Sequence, residues 1–341
     1  MTETLVSYSL VAVYSAMAIY TLAFVLFAVD LARRSATSPA EIIAASSSAR
    51  AFARGQATGA TSVLEREPGR TPGAAPRHAP GRAGAAAPPP PAKGPLYLRA
   101  AMGLMVLAWL LHVAAVILRG VAAGRVPWAN MFEFALTATA IIVGVFLATQ
   151  FWQDLRFLGV FISGFALVAL GVSTTNFYVD VVPLPPALQS VWLVIHVFVA
   201  TLGTGFFALG AGLSVAQLLK ARREAGGVPR LGLLDTLPSA EKLENTAYRL
   251  TVIGFVFWTF TLIAGAIWAE RAWGRYWGWD TKEVWTFIIW TLFAGYIHAR
   301  ATRGWRGSRS AWLAIIGFSA VIFNFTIVNL FFKGLHSYSG L

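Results

Sequence analysis

The stretch Trp273-Gly274-Arg275-Tyr276-Trp277-Gly278-Trp279-Asp280-Thr281-Lys282-Glu283-Val284-Trp285 lies between two hydrophobic runs, about 247–270 and 283–299. Four tryptophans and a tyrosine within thirteen residues exceed what an interfacial aromatic belt needs, since a belt spreads its rings over many helix ends. Gly274 and Gly278 break the cluster and let backbone or ligand come close. The segment reads as an external turn between two membrane helices that carries a flat, apolar platform.

The rest of the chain supplies the membrane. Of 341 residues 57% are hydrophobic and 12% charged, against about 25% charged in soluble domains. Eight runs are long enough to cross a hydrocarbon core of roughly 30 Å: about 5–28, 98–119, 130–150, 157–175, 190–218, 247–270, 283–299 and 311–333. Spanning backbone must satisfy its polar groups internally, so the expected fold class is an all-α integral membrane protein with about eight transmembrane helices. The first run lacks a basic n-region and a small-residue cleavage site, and reads as a retained helix.

A net charge of +12 invites a nucleic-acid reading, but the distribution argues against it. With the N-terminus outside and the helices alternating, most basic residues fall on the cytoplasmic side, from Arg33 and Arg34 through Lys220, Arg222 and Arg223 to Arg306 and Arg309. The positive-inside rule therefore gives N-out and C-out, and no nucleic-acid partner. There is no cysteine, so any thiol chemistry belongs to a partner or substrate.

Residues 35–95 are rich in Ala, Pro, Gly, Ser and Arg. They read as a disordered cytoplasmic linker, with His78 inside it, between an N-terminal helix (1–34) and a seven-helix body (96–341). Three external segments, 119–130, 176–189 and 270–283, would roof the outer face; Pro183, Pro185 and Pro186 make the middle one extended and irregular.

Ionisable residues inside membrane runs are costly and usually functional. His196, near the outer end of the fifth run, and His336, just beyond the last, share the depth of the tryptophan segment. Two neutral imidazoles at one depth beside flat indoles suit an iron porphyrin held axially, so haem is the expected ligand, on a platform of Trp273, Trp277, Trp279 and Trp285. His298 lies roughly 22 Å below Glu283 along its helix, where it is either a second haem site or an interfacial side chain beside Arg300. His112 stands on the order of 13 Å from that depth, too far to share one iron, and is the weaker candidate.

Asp280 and Glu283 form the pattern of an N-cap with a capping box, a role compatible with shaping the platform. Asn130 and Glu133 open the third helix in the same way, with Arg119 or Arg125 as ion-pair partners for Glu133. Those arginines, with Arg271, Arg275 and Lys282, are the natural partners for haem propionates, and the sequence does not choose among them.

The motif Trp277-Gly-Trp279-Asp280-x-x-Glu283-x-Trp285, its flanking histidines and the Asn130-x-x-Glu133 pair resemble one family closely. This is the haem-handling membrane subunit of cytochrome c assembly, called CcsA or ResC, of the Trp-Trp-Asp domain superfamily that also includes CcmC and CcmF. The resemblance covers roughly 96–341. It implies that His196 and His336 ligate haem b at the outer face, and that His298 is the family's membrane-embedded histidine, whose second ligand comes from a CcsB- or ResB-like subunit. It further implies haem transport to the outer face and attachment there to a reduced Cys-x-x-Cys-His apocytochrome c, in a synthase complex served indirectly by a thiol-reducing thioredoxin-like protein. The location implied is the bacterial cell membrane rather than the thylakoid. The chain departs from the pattern at Thr281, where proline is common, and at Phe132, where tyrosine is usual. The competing readings are a haem exporter or chaperone without ligation activity, and a membrane b-type cytochrome. No acid–base dyad marks the chain as an enzyme by itself.

Overall fold

The computed structural model describes residues 2–60, 96–226, 232–302, 304–332 and 334–336, with the side chains of 34–60 left undescribed. It is all-helical over those residues. Helix α1 spans Thr2–Ala60, α2 Leu96–Ala123, α3 Met131–Thr149, α4 Gly159–Asn176, α5 Val191–Glu224, α6 Ala240–Trp273, α7 Thr281–Thr302 and α8 Ser308–Phe323. A π-helical turn, Asn324–Val328, and a short helix, α9 (Asn329–Phe331), continue α8.

Seven spans among the described residues are long and apolar enough to cross a membrane: Thr2–Arg33 of α1, then α2, α3, α4 with the turn before it, α5, α6, and α8 continued through α9 to Phe331. With 22 residues, α7 is about 33 Å long. It packs against α6 and α8 and completes the multi-pass bundle; its Lys282, Glu283, His298 and Arg300 account for its lower hydropathy. Val11, Leu22, Leu110, Ile117, Val168, Val256 and Ile263 lie exposed on the outer faces, as side chains meeting lipid should.

The helix begun at Thr2 runs to Ala60; His78 and the rest of the stretch expected to be a linker, 61–95, lie outside the described residues. The first part of α1 packs on the body. Val13, Ala16, Tyr20, Ala23 and Phe27 are all within 2% of full burial, spaced three and four apart on one face, and join the main core against α2 and α4.

Local signals set the helix ends. Ser190 caps α5 by accepting from Trp192 N, and Ser239 caps α6 by accepting from Lys242 N. Gly274, with φ of 70°, ends α6 in the left-handed conformation that favours glycine. Helices α5 and α6 pack most extensively, because small residues let them approach: a Cβ on Gly254 would meet the Phe207 ring at 2.8 Å. The alternation of helices brings the starts of α3, α5 and α7 to the end of the bundle where α6 and α8 finish. The tryptophan turn covers that end.

The opposite end is closed by a polar knot. Glu244 accepts from Gly307 N at 3.0 Å and Ser310 Oγ at 3.2 Å, and pairs with Arg300 Nε at 3.4 Å. Lys220 donates to Leu234 O at 2.9 Å.

Candidate functional site

A cavity of about 150 Å³ lies at the tryptophan end. Its walls are mostly apolar, with Phe134, Val197, Trp258, Leu262, Trp268 and Phe325 among them. His196 and His336 both line it.

Each imidazole is held by one nitrogen. His196 Nδ1 lies 3.0 Å from the carbonyl oxygen of Thr261; a carbonyl only accepts, so Nδ1 carries the proton and Nε2 keeps its lone pair. The ring stacks on Trp268, 5.8 Å between centroids with the planes 20° apart. Gly265 makes room for it, since a Cβ there would sit 2.7 Å from His196 Cε1.

His336 Nδ1 lies 2.7 Å from Asp280 Oδ2. A carboxylate orienting an imidazole through Nδ1 is the arrangement that leaves Nε2 free and more basic for a metal. That hydrogen bond is the chief reason the Asp280 carboxyl is held below the ordinary carboxylate range. The His336 ring packs edge-on against Trp273 at 4.8 Å and Trp268 at 5.4 Å. Both histidines therefore touch one indole, and their centroids are no farther apart than those two Trp268 distances laid end to end.

The turn that positions Asp280 is built by Glu283. Its Oε2 accepts from Gly278 N at 2.8 Å and Asp280 N at 3.0 Å, the reach-back half of a capping box. Asp280 also accepts from Leu335 N at 3.3 Å, tying the segment after α9 to the start of α7. Trp279 takes a φ of 58°, a left-handed conformation rare for a bulky residue, and its ring is 73% exposed.

Of the residues singled out from sequence, His196, His336, Tyr276, Trp277, Lys282, Glu283 and Asn130 line the cavity. Trp273 and Asp280 act on it through His336. Trp279 lies outside, edge-on to Trp277 at 5.9 Å. Trp285 turns away from the platform and packs on Phe323 at 4.4 Å, within a core cluster with α8. Arg275 leans over Gly278, where a Cβ would collide with its guanidinium, and stands 4.0 Å from Glu283.

Glu133 is buried away from the cavity. It pairs with Arg119 Nε at 3.2 Å and Arg125 Nη1 at 2.6 Å and accepts from Ala129 N at 3.1 Å, while Asn130 Oδ1 caps its backbone N–H at 2.9 Å. The arginines also donate to Val179 O and Val182 O. This cluster pins the proline-rich loop and uses up two of the cations expected to meet propionates.

The other two described histidines lie elsewhere. His112 is fully buried on α2, its Nε2 donating to Leu136 O at 2.9 Å and its Nδ1 facing Tyr20 Oη at 3.4 Å. Both nitrogens are engaged, so it is a packed core histidine. His298 is exposed on α7, two residues before Arg300, open to whatever covers that face.

Sequence reasoning missed Trp268, Gly265 and Trp258. Trp258 donates through Nε1 to Thr286 O at 3.1 Å. The signal in all three was a spacing along α6, read simply as a membrane run: Trp258, Thr261, Gly265 and Trp268 recur every three or four residues, on one helix face.

A multi-pass helical bundle with a mostly apolar cavity lined by two histidines defines a membrane protein with a ligand-sized space at one end. The chain belongs to the cytochrome c assembly protein family, whose model matches residues 101–336. It is 34% identical over 256 residues to the cytochrome c biogenesis protein CcsA of Guillardia theta, covering 70% of this chain and 85% of that one. It is 32% identical over 297 residues to CcsA of Synechocystis, covering 72% and 89%. The solved structure of the cytochrome c heme lyase CcmF matches with a TM-score of 0.59 over 94% of this chain. At 16% identity that likeness speaks for the fold, and this chain spans 46% of the length of that one.

Proposed function

We propose that this chain handles haem for cytochrome c maturation, in a cavity where His196 and His336 would hold haem b by its iron and present it on the extracytoplasmic side. The observation that carries the reading is the pair of imidazoles on one apolar cavity, each fixed through Nδ1 and each with Nε2 free.

The residues present fit the group. Flat indoles of Trp268 and Trp277 and the Phe134 and Phe325 rings supply apolar faces for a macrocycle. Bound there, haem supplies the iron and the vinyl groups on which covalent attachment depends. The chain's own part is positioning. Asp280 holds the His336 proton at Nδ1, the Thr261 carbonyl does the same for His196, and the aromatic walls exclude water. His336 lies in the short segment after α9, tied to the start of α7 through Asp280.

Exposed His298 fits an inner haem site completed by a partner subunit. Membership of the CcsA family supports cytochrome c biogenesis as the setting, with a CcsB- or ResB-like subunit and apocytochrome c as partners. Against a b-type electron-transfer cytochrome stands His112, whose two nitrogens are both engaged.

The test is co-expression of chain and partner with a Cys-x-x-Cys-His apocytochrome in a host without its own assembly machinery. Covalent haem on the substrate, absent with His196→Ala or His336→Ala, is the expected result. Haem accumulating outside without covalent product would make the chain an exporter.

A further inference from the structure

The cavity has a polar wall that the two histidines do not use. Lys282, in the first turn of α7, lines the cavity; its ammonium contacts Asn329 Oδ1 and stands 5.5 Å from the centre of the Phe325 ring. Both partners are neutral. Among the described residues no carboxylate lies within ion-pair distance of it. Asp280 is engaged by His336, and Glu283 Oε2 by two backbone N–H groups. A cation in the first turn also opposes the helix dipole, which favours anions there. Asp280 attracts the Lys282 ammonium only from beyond ion-pair distance; a charge withdrawn from water without a close counter-charge is costly, so this position suits a ligand that brings one.

A second, independent observation points the same way. Asn130 is 5% exposed and lines the cavity, and its Nδ2 is a buried donor with no acceptor. Asn324 Oδ1 and Glu283 Oε1, on residues that also line the cavity, are unpartnered acceptors, which a carboxylate does not satisfy, so the donor Asn130 Nδ2 alone bears on an anion. The π-helical turn Asn324–Val328 sets Asn324 and Phe325 on the cavity, and π-turns are frequent at functional sites. Of the other cations at this end, Arg119 and Arg125 pair with Glu133 and Arg271 with Glu270, while Arg275, whose Nη1 also lacks a hydrogen-bond partner, leans over Gly278 and is not part of the cavity lining.

The geometry points to Lys282, with Asn130 Nδ2 as second donor, as the anchor for one carboxylate of the ligand. This rests on the haem reading and names the part of haem it concerns: one propionate would be gripped by Lys282 and Asn130, on the α7 and α3 side of the cavity.

The full-length chain, purified in detergent, is titrated with haem, with haem dimethyl ester and with metal-free protoporphyrin. Esterification is expected to weaken binding to the unaltered chain by about tenfold or more, the size of a hydrogen bond to a charged group. Lys282→Met removes that preference while the haem-loaded variant keeps its two-imidazole spectrum. Lys282→Arg retains part of the preference, which separates loss of charge from misfolding. With metal-free protoporphyrin and its ester, His196→Ala keeps the preference, because Lys282 acts on the acid group and not the iron. A Lys282→Met chain that distinguishes acid from ester as well as the unaltered chain overturns the anchor alone. Failure of every porphyrin to bind overturns the haem reading and the anchor with it.

Discussion

Glu133 and Glu283 occupy the same place in two helices. Each is the third residue of a helix that starts at the tryptophan end, and each reaches back to a backbone N–H ahead of it. There the likeness ends. Glu133 is closed between two arginines at 3.2 and 2.6 Å and is fully buried. Glu283 has one guanidinium at 4.0 Å and an unpartnered oxygen on the cavity. The histidines divide in the same way: His112 has both nitrogens engaged, His196 and His336 one each. In these two comparisons the group with its polar demand met internally is scaffold, and the one left open lines the cavity.

That contrast predicts a graded set of effects. The largest is on the scaffold side: Glu133→Ala strands Arg119, itself 1% exposed, and should cost about 3–5 kcal/mol of stability in denaturant titration of the detergent-solubilised chain. Glu283→Gln, which keeps an oxygen for the two backbone donors, should cost about 1 kcal/mol. Equal losses would remove the distinction.

Next comes Asp280→Asn, expected to weaken haem binding about 10–100-fold by loosening His336. Because His336 depresses the Asp280 carboxyl, its contribution to stability is complete above the unfolded value of about 3.9. It is lost as the pH falls through the lower folded value. Stability curves of the unaltered chain and Asp280→Asn should therefore differ at neutral pH and converge in acid below about pH 4.

Gly265→Ala places a Cβ 2.7 Å from the His196 ring and should lower haem affinity by about 1–3 kcal/mol through overpacking, read by equilibrium titration. The smallest effect belongs to Trp279→Ala. With that ring 73% exposed, stability should change by no more than about 0.5 kcal/mol. A large loss of haem there would return Trp279 to the platform.

Much of this was legible in the sequence because the membrane makes polar residues conspicuous. His196 and His336 stand out as ionisable groups at the ends of apolar runs, and Asp280-x-x-Glu283 announces a helix start. What failed to read out was direction. Trp285 follows Glu283 by two positions, which on a helix turns it towards another face, so nearness in the motif said nothing about sharing the cavity. Trp279 is swung outward by a left-handed backbone that nothing in the residue type foretells. Gly265 and Trp268 acquire meaning only from His196, some 70 residues earlier by position in the chain, and such contacts belong to the fold. Tyr20, which faces His112, made α1 part of the core for the same reason.

The most direct measurement is the low-temperature electron paramagnetic resonance spectrum of the haem-loaded, full-length chain. Low-spin iron with two imidazole ligands is the predicted signal, lost in His196→Ala and in His336→Ala and kept in His112→Ala. A spectrum that survives removal of either cavity histidine, or that vanishes with His112, would contradict the account.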